Sequence, residues 1–244
     1  MHLIKLGATD STNAYLKELL ASKDAPDGTV VQAECQQKGR GQMGREWHSE
    51  PGKNLTFSIL KKFNTFPVTR QFLLNIISSL AVVEVLNTYD VPELKVKWPN
   101  DIMSGNQKIC GILVENVVKG RTLKAAVIGI GLNVNQEDFP YGLNATSMKL
   151  HTGSEAALDN LLEALVHAIE AAIETFLQAP YNEVRKAYEA LLFAKGIPSV
   201  FETRKGQKFS ARVKGIDETG QLRLQHDTGD VRTHQFNEIK MLFG

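Results

Sequence analysis

Four short segments of this chain combine residue types that could bind anions or move protons. The first is Lys38-Gly39-Arg40-Gly41-Gln42-Met43-Gly44-Arg45-Glu46-Trp47. Its glycines let backbone N–H groups approach an anion closely, and Arg40 and Arg45 add fixed positive charge. The spacing fits neither the Walker loop nor the dinucleotide fingerprint. Taken alone, the segment is equally a solvated flexible loop. The second is Lys97-Trp98-Pro99-Asn100-Asp101, where a carboxylate and an amide stand together at the end of a strand. Pro99 stiffens that exit and removes one backbone donor. Asn and Asp are also common turn residues. In the third, Lys108-Ile109-Cys110-Gly111-Ile112-Leu113-Val114-Glu115, a lysine opens an apolar strand and Gly111 lets another group approach its backbone. Such a lysine is otherwise an edge gatekeeper. The fourth is Gly129-Ile130-Gly131-Leu132-Asn133-Val134-Asn135, whose small residues also suit tight strand packing.

The elements that must hold these segments follow from periodicity. Asp10, Ser11, Thr12 and Asn13 are capping types, and Tyr15, Leu16, Leu19 and Leu20 follow at helical spacing, so a helix should start near Ser11. Strands are expected over 29–34 and 55–60, on either side of the glycine-rich segment 37–53. Pro67 should open a helix whose buried face runs from Phe72 to Leu86. Further strands are expected over 94–98, 109–118 and 123–133, the last two joined by a hairpin at Lys119-Gly120-Arg121. Two helices, 159–177 and 181–192, should follow, separated by Pro180. After Gly196-Ile197-Pro198 the pattern changes to short alternating strands (211–216, 221–225 and 231–234), which suggests a small closed barrel. The class is α+β: a mixed β-sheet with helices over residues 1–195, then a small β-barrel over 196–244.

Composition narrows the function. The formal net charge is +1, from 28 basic and 27 acidic residues, which argues against a nucleic-acid partner. Cys35 and Cys110 lack metal-ligand spacing, and they read as two buried free thiols in a reducing cytoplasm. The six histidines are scattered, so no structural zinc site is expected and no metal ligand is assigned. The N-terminal sequence MHLIKLGATDSTN carries no leader pattern, and no apolar stretch long enough to cross a membrane is expected.

Taken together, in this order and spacing, the four segments closely resemble the biotin–protein ligase family. The likeness runs from Ser11 to Asn135 and echoes again in Ala145-Thr146-Ser147 and the C-terminal barrel. It implies a catalytic domain like that of class II aminoacyl-tRNA synthetases followed by an SH3-like barrel. It implies an enzyme that uses ATP and Mg2+ to convert biotin to a biotinyl-5'-adenylate, then passes biotin to a lysine of a biotin carboxyl carrier protein. Biotin would be bound by Ser11, Thr12, Asn13, Gln36, Gly39, Arg40, Gly41, Lys108 and Gly111. The nucleotide would meet Arg40, Arg45, Trp47, Asn100, Lys108 and Asn133, with Trp47 packed on adenine. Lys108 and Arg40 would offset charge during adenylation, and Asp101 would hold or deprotonate the incoming lysine, or else serve as a turn former. Where many bacterial members of the family read Gly-Arg-Gly-Arg, this chain has Gln42 in the fourth place. With the first motif at Ser11, a DNA-binding domain of the kind some members carry is not expected, and neither DNA nor a membrane is an expected partner. A lipoate or octanoate transferase shares the implied fold, but it binds a flexible acyl tail, whereas Ser11, Thr12, Asn13 and Gln36 suit a polar ring. A non-catalytic biotin sensor would show a DNA-binding extension or a lost lysine at position 108.

Overall fold

Near-continuous runs of buried residues in the central strands show that the main sheet is covered on both faces. The computed structural model describes residues 2–22 and 25–242. In chain order the elements are β1 (His2–Thr9), α1 (Thr12–Ser22), β2 (Thr29–Gln36), β3 (Leu55–Pro67), α2 (Leu73–Thr88), β4 (Leu94–Lys97), β5 (Asp101–Ser104), β6 (Gln107–Lys119) and β7 (Thr122–Leu132). They continue with α3 (Met148–Thr152), α4 (Leu158–Phe176), α5 (Tyr181–Ala190), β8 (Pro198–Thr203), β9 (Lys208–Ile216), β10 (Leu222–His226), β11 (Val231–His234) and β12 (Ile239–Met241).

Seven strands form the main sheet in the order β1-β2-β3-β7-β6-β5-β4. Only β1 and β2 pair in parallel; the other neighbours are antiparallel. Side chains alternate between two cores. Val30, Phe57, Ile59, Ala126 and Ile128 join the larger one, against α2, α4 and α5. Val31, Leu60, Ala125 and Val127 join a smaller one with Leu16 of α1. Helix α2 buries Leu74, Ile76, Ile77, Val82 and Leu86 completely. Each such side chain contributes about 1.5–3 kcal/mol. Helix α1 covers only part of its face of the sheet, leaving the ends of β3, β5, β6 and β7 open beside its N-terminus.

The second sheet, β11-β10-β9-β8-β12, is antiparallel throughout. It is tied to the main body at specific points. Trp98 Nε1 donates to Gly220 O at 2.9 Å, Tyr181 Oη donates to Asp217 O at 3.2 Å, and the Ile216 N–H donates to Glu189 Oε1 at 3.0 Å. Gly220 lies flat on the Phe72 ring, where any Cβ would collide.

Three expectations need correction. Pro67 does not open a helix: β3 runs through Pro67, a short 3-10 turn follows, and α2 begins at Leu73. The run of apolar residues is long enough to blur that boundary. By length and hydropathy the stretch Val68–Thr88 could span a membrane, contrary to expectation, but it is mostly buried in this core. Cys35 is only partly buried, while Cys110 is fully so, and both are free. β1, β5 and α3 carried no expectation, and β8 and β12 lie within the expected barrel without having been given ranges of their own.

Candidate active site

Three glycines make the floor. On β6 and β7, Gly111 pairs with Gly131, and Leu113 pairs with Gly129. All these positions share the face that α1 covers, so the missing side chains leave a depression beside the N-terminus of that helix. Neighbouring groups descend into it. A Cβ at Gly131 would come within 2.5 Å of Trp47 Cε2, and one at Gly111 within 3.1 Å of Trp47 Cζ3. A Cβ at Gly129 would collide with Asn13 Oδ1. The resulting cavity of about 380 Å3 is lined by Ser11, Thr12, Asn13, Gln36, Arg40, Gly41, Arg45, Trp47, Asn100, Asp101, Lys108 and Gly111, among others. Gln42, Lys97 and Leu143 also reach its wall.

A β-bulge sets the position of Lys108. Between β5 and β6 the register runs Asp101 to Gly111 and Ile102 to Cys110, then skips to Met103 opposite Lys108. Ile109 is therefore the extra residue. If these same residues alternated strictly, with no bulge, Lys108 would stand on the opposite face from Gly111, with Cys110 in the core. With it, Lys108 stands on the cavity face and its Nζ meets Asp101 Oδ1 at 2.6 Å. The same Nζ lies 5.3 Å from the Trp47 ring centroid. The Ala145-Thr146-Ser147 segment fixes the lysine's backbone: Lys108 N donates to Asn144 O, and Thr146 N donates to Lys108 O at 2.9 Å. Ser147 caps α3 by accepting from Leu150 N.

The polar end of the cavity is a connected network. The backbone N–H of Thr12 donates to Gln36 Oε1 at 2.9 Å. Ser58 Oγ lies 2.7 Å from Thr12 Oγ1 and 2.6 Å from Asn13 Oδ1. Asn13 Nδ2 donates to Leu113 O and to Glu115 Oε2. Asn13 thus spends its amide on protein partners behind the cavity wall. Ser11 Oγ accepts only a long contact, 3.5 Å, from Ala14 N.

The glycine-rich segment covers the other end. Arg40 bridges to Glu46, Gly41 N donates to Arg45 O at 2.7 Å, and Trp47 N donates to Gly39 O at 2.9 Å. Arg40 and Arg45 are exposed, whereas Trp47 Nε1 is buried without a partner among the described residues. Asn100 Nδ2 donates to Ile112 O at 2.7 Å, which pins the end of the Lys97–Asp101 turn to β6. Asn133 and Gly39 are the two expected residues that do not line the cavity. Asn133 is buried behind it, donating to Thr146 O and leaving Oδ1 without a partner among the described residues; Gly39 packs against the Trp47 backbone.

Lys97 carried no assigned role, yet it lines the cavity. It pairs with Asp101 across β4 and β5, so both point to the same face. Its pKa is lowered to about 8, first by burial and then by the charges of Lys108 and Arg45, with Asp101 opposing. The signal was available: Leu94 and Val96 are the buried phase of that strand, which leaves Lys97 on the other face.

Comparisons with known proteins agree with this geometry. The profile of the Biotin/lipoate A/B protein ligase family matches residues 6–133. The bifunctional ligase/repressor BirA of Bacillus spizizenii is 30% identical over 232 residues, spanning 93% of this chain and 70% of that protein. The biotin--[acetyl-CoA-carboxylase] ligase of Paracoccus denitrificans is 30% identical over 235 residues, spanning 92% of this chain and 94% of its own. Among solved structures, the biotin protein ligase from Aquifex aeolicus in complex with biotin and ATP superposes with a TM-score of 0.82 at 26% identity, covering 100% of this chain and 99% of its own. The match to the profile takes in more than half of the chain, and relatives at 30% identity align along most of their length, so the chain belongs to the biotin/lipoate A/B protein ligase family.

Proposed function

We propose that this protein is a biotin--[biotin carboxyl-carrier protein] ligase, which attaches biotin to a lysine of the carrier through an enzyme-bound biotinyl-5'-adenylate. The observation that carries the reading is the meeting, in one cavity, of a hydrogen-bonding cluster for a polar ring and a lysine–carboxylate pair for acyl activation. Biotin's head group would sit at Ser11, Thr12 and Gln36, with its chain running over Gly111 toward Lys108. In the first step the biotin carboxylate attacks the α-phosphorus of ATP and pyrophosphate leaves. Both reactants are anionic, so Lys108, Lys97, Arg40 and Arg45 would offset the charge that gathers between them. In the second step the carrier's lysine amine attacks the acyl carbon and AMP leaves. Once Lys108 turns to the phosphate, Asp101 Oδ1 is released to take the proton of that amine.

Among the described residues no cluster of three metal-ligating side chains exists, and the cavity wall offers the carboxylates of Asp101 and Glu46. That set fits Mg2+ held mainly by the nucleotide's phosphates, with one or two carboxylates at most. The bound ion would supply charge neutralisation at the phosphates. The proposal divides the chain into a catalytic part, residues 1–195, and a barrel, residues 196–244. The chain bridges to the main sheet at Leu192 and to the second sheet at Lys195, which supports a division near that point. It also places the protein in the cytoplasm, which suits two free thiols.

The test is incubation with ATP, Mg2+, biotin and a biotin carboxyl carrier domain, followed by intact mass of the carrier. One added biotinyl group, absent without ATP and not replaced by lipoate, is the expected result. Equal transfer of lipoate, or none of biotin, would sink the reading.

A further inference from the structure

We infer that Glu115 is a positioning residue that sets which atoms of the biotin site donate and which accept; the inference rests on the function proposed above. A carboxylate can only accept hydrogen bonds. Glu115 Oε2 lies 2.8 Å from Asn13 Nδ2, whose other hydrogen goes to Leu113 O at 3.2 Å. Both neighbours are acceptors, so the Asn13 amide cannot turn over without setting Oδ1 against a carbonyl and a carboxylate. Oδ1 must therefore face Ser58 Oγ, 2.6 Å away, and Ser58 must donate to it.

A serine hydroxyl has one proton. With that proton committed to Asn13, the proton of Thr12 completes the 2.7 Å contact with Ser58 Oγ in preference to its longer 3.2 Å contact with Gln36 Oε1, which already accepts from the Thr12 backbone N–H. The lone pairs of Thr12 Oγ1 are then what the residue offers to a ligand. Gln36 Oε1 is oriented by the backbone N–H of Thr12, which leaves its Nε2 as a donor. The site thus presents an acceptor at Thr12 and a donor at Gln36. A cyclic urea presents the complement, an N–H beside a C=O. Thr12, Asn13 and Ser58 are all buried, so bulk water is not at hand to reverse the sequence of protons. Lys17 holds the far oxygen of the carboxylate, Nζ to Oε1, at 2.6 Å.

This chain of protons makes Lys17 part of the test. In Glu115→Gln the ammonium of Lys17 claims the new amide's oxygen, which turns its NH2 toward Asn13. Asn13 then flips, Ser58 donates to Thr12, and Thr12 loses its acceptor. The biotin KM should rise roughly tenfold, as expected for one mismatched buried hydrogen bond, while the ATP KM stays within about twofold. Adding Lys17→Met frees the amide to turn its oxygen to Asn13. The double variant should recover a biotin KM within about threefold of wild type. A Lys17–Glu115 pair that served only stability would make the double variant no better than the single one. Ser58→Ala cuts the same chain between Asn13 and Thr12, and should raise the biotin KM alone; it and the double variant carry the test if Glu115→Gln does not fold. An unchanged biotin KM in Glu115→Gln, a parallel rise in both KM values, or no recovery in the double variant would overturn the inference. Failure of the wild-type protein to transfer biotin would instead remove the function beneath it.

Discussion

The two ends of the cavity are built on opposite principles. At the Thr12–Gln36 end, Thr12, Asn13 and Ser58 are buried, and Asn13 and Ser58 spend their side-chain hydrogen bonds on protein partners. At the other end, Arg40 and Arg45 stand in solvent on a segment folded back on itself by a bridge of two backbone hydrogen bonds, and the indole N–H of Trp47 is buried with no partner among the described residues. The difference matches what each end would bind. A neutral ring is recognised through alignment, because neutral hydrogen bonds weaken steeply off axis. A phosphate can be held by charge, which tolerates a moving partner. The first end is preorganised, and the second waits for its ligand to complete it.

The comparison fails most visibly if Lys108 is dispensable. Lys108→Ala should fold and still bind biotin at the rigid end, yet lose adenylation by about 10²–10³, the usual effect of removing one charge-stabilising donor. Biotin-dependent pyrophosphate exchange within about threefold of wild type would mean that the lysine is not the activating cation. Gln42 offers a smaller but sharper test at the adjustable end, since it lines the cavity where a family member would carry arginine. Gln42→Arg should slow release of biotinyl-adenylate by roughly 5- to 30-fold, the difference between a neutral and a charge-assisted hydrogen bond. Equal off-rates for labelled intermediate would show that the side chain does not meet the phosphate. The smallest effect concerns pH. Lys97 is protonated below its pKa of about 8 and neutral above it. Its attraction for a phosphate is therefore present at lower pH and lost as pH rises through that value. The ATP KM should climb about fivefold between neutral pH and pH well above 8, while the biotin KM stays flat. Lys97→Met should remove the dependence, and a wild-type ATP KM flat with pH would assign the charge elsewhere.

Much of the site was legible because its chemistry is local. Gly111, Gly129 and Gly131 announce themselves as absent side chains, and the floor they form follows once the strands around them are placed. The hairpin after Lys119 could be read directly, since Lys119 pairs with Thr122 and Gly120 takes a positive φ of 63°. What could not be read depends on partners distant in sequence. β1 carries an irregular burial pattern because it is an edge strand, and pairing with β2 rather than alternation defines it. β5 has only four residues, too few for a period to emerge. Ser58 gave no functional signal, and Glu115, though it closes the third segment, was assigned no role, because both act through Asn13, 45 and 102 residues away. Asn13, expected at the ligand, lines the cavity, and its amide also bonds the protein behind the wall.

The bulge at Ile109 gives the chain a property that can be counted. Lys108 and Gly111 are three residues apart, an odd interval, yet they serve the same face. In any related sequence, an odd interval between these two positions is the written trace of the extra residue, and an even interval means an uninterrupted strand that reaches the same face without one. The two cases look equally acceptable to a substitution table, because every residue type can be the same. They differ in length alone. In this strand deleting the extra residue would keep the cation on the cavity face, whereas straightening the bulge with every residue kept would turn it into the apolar core.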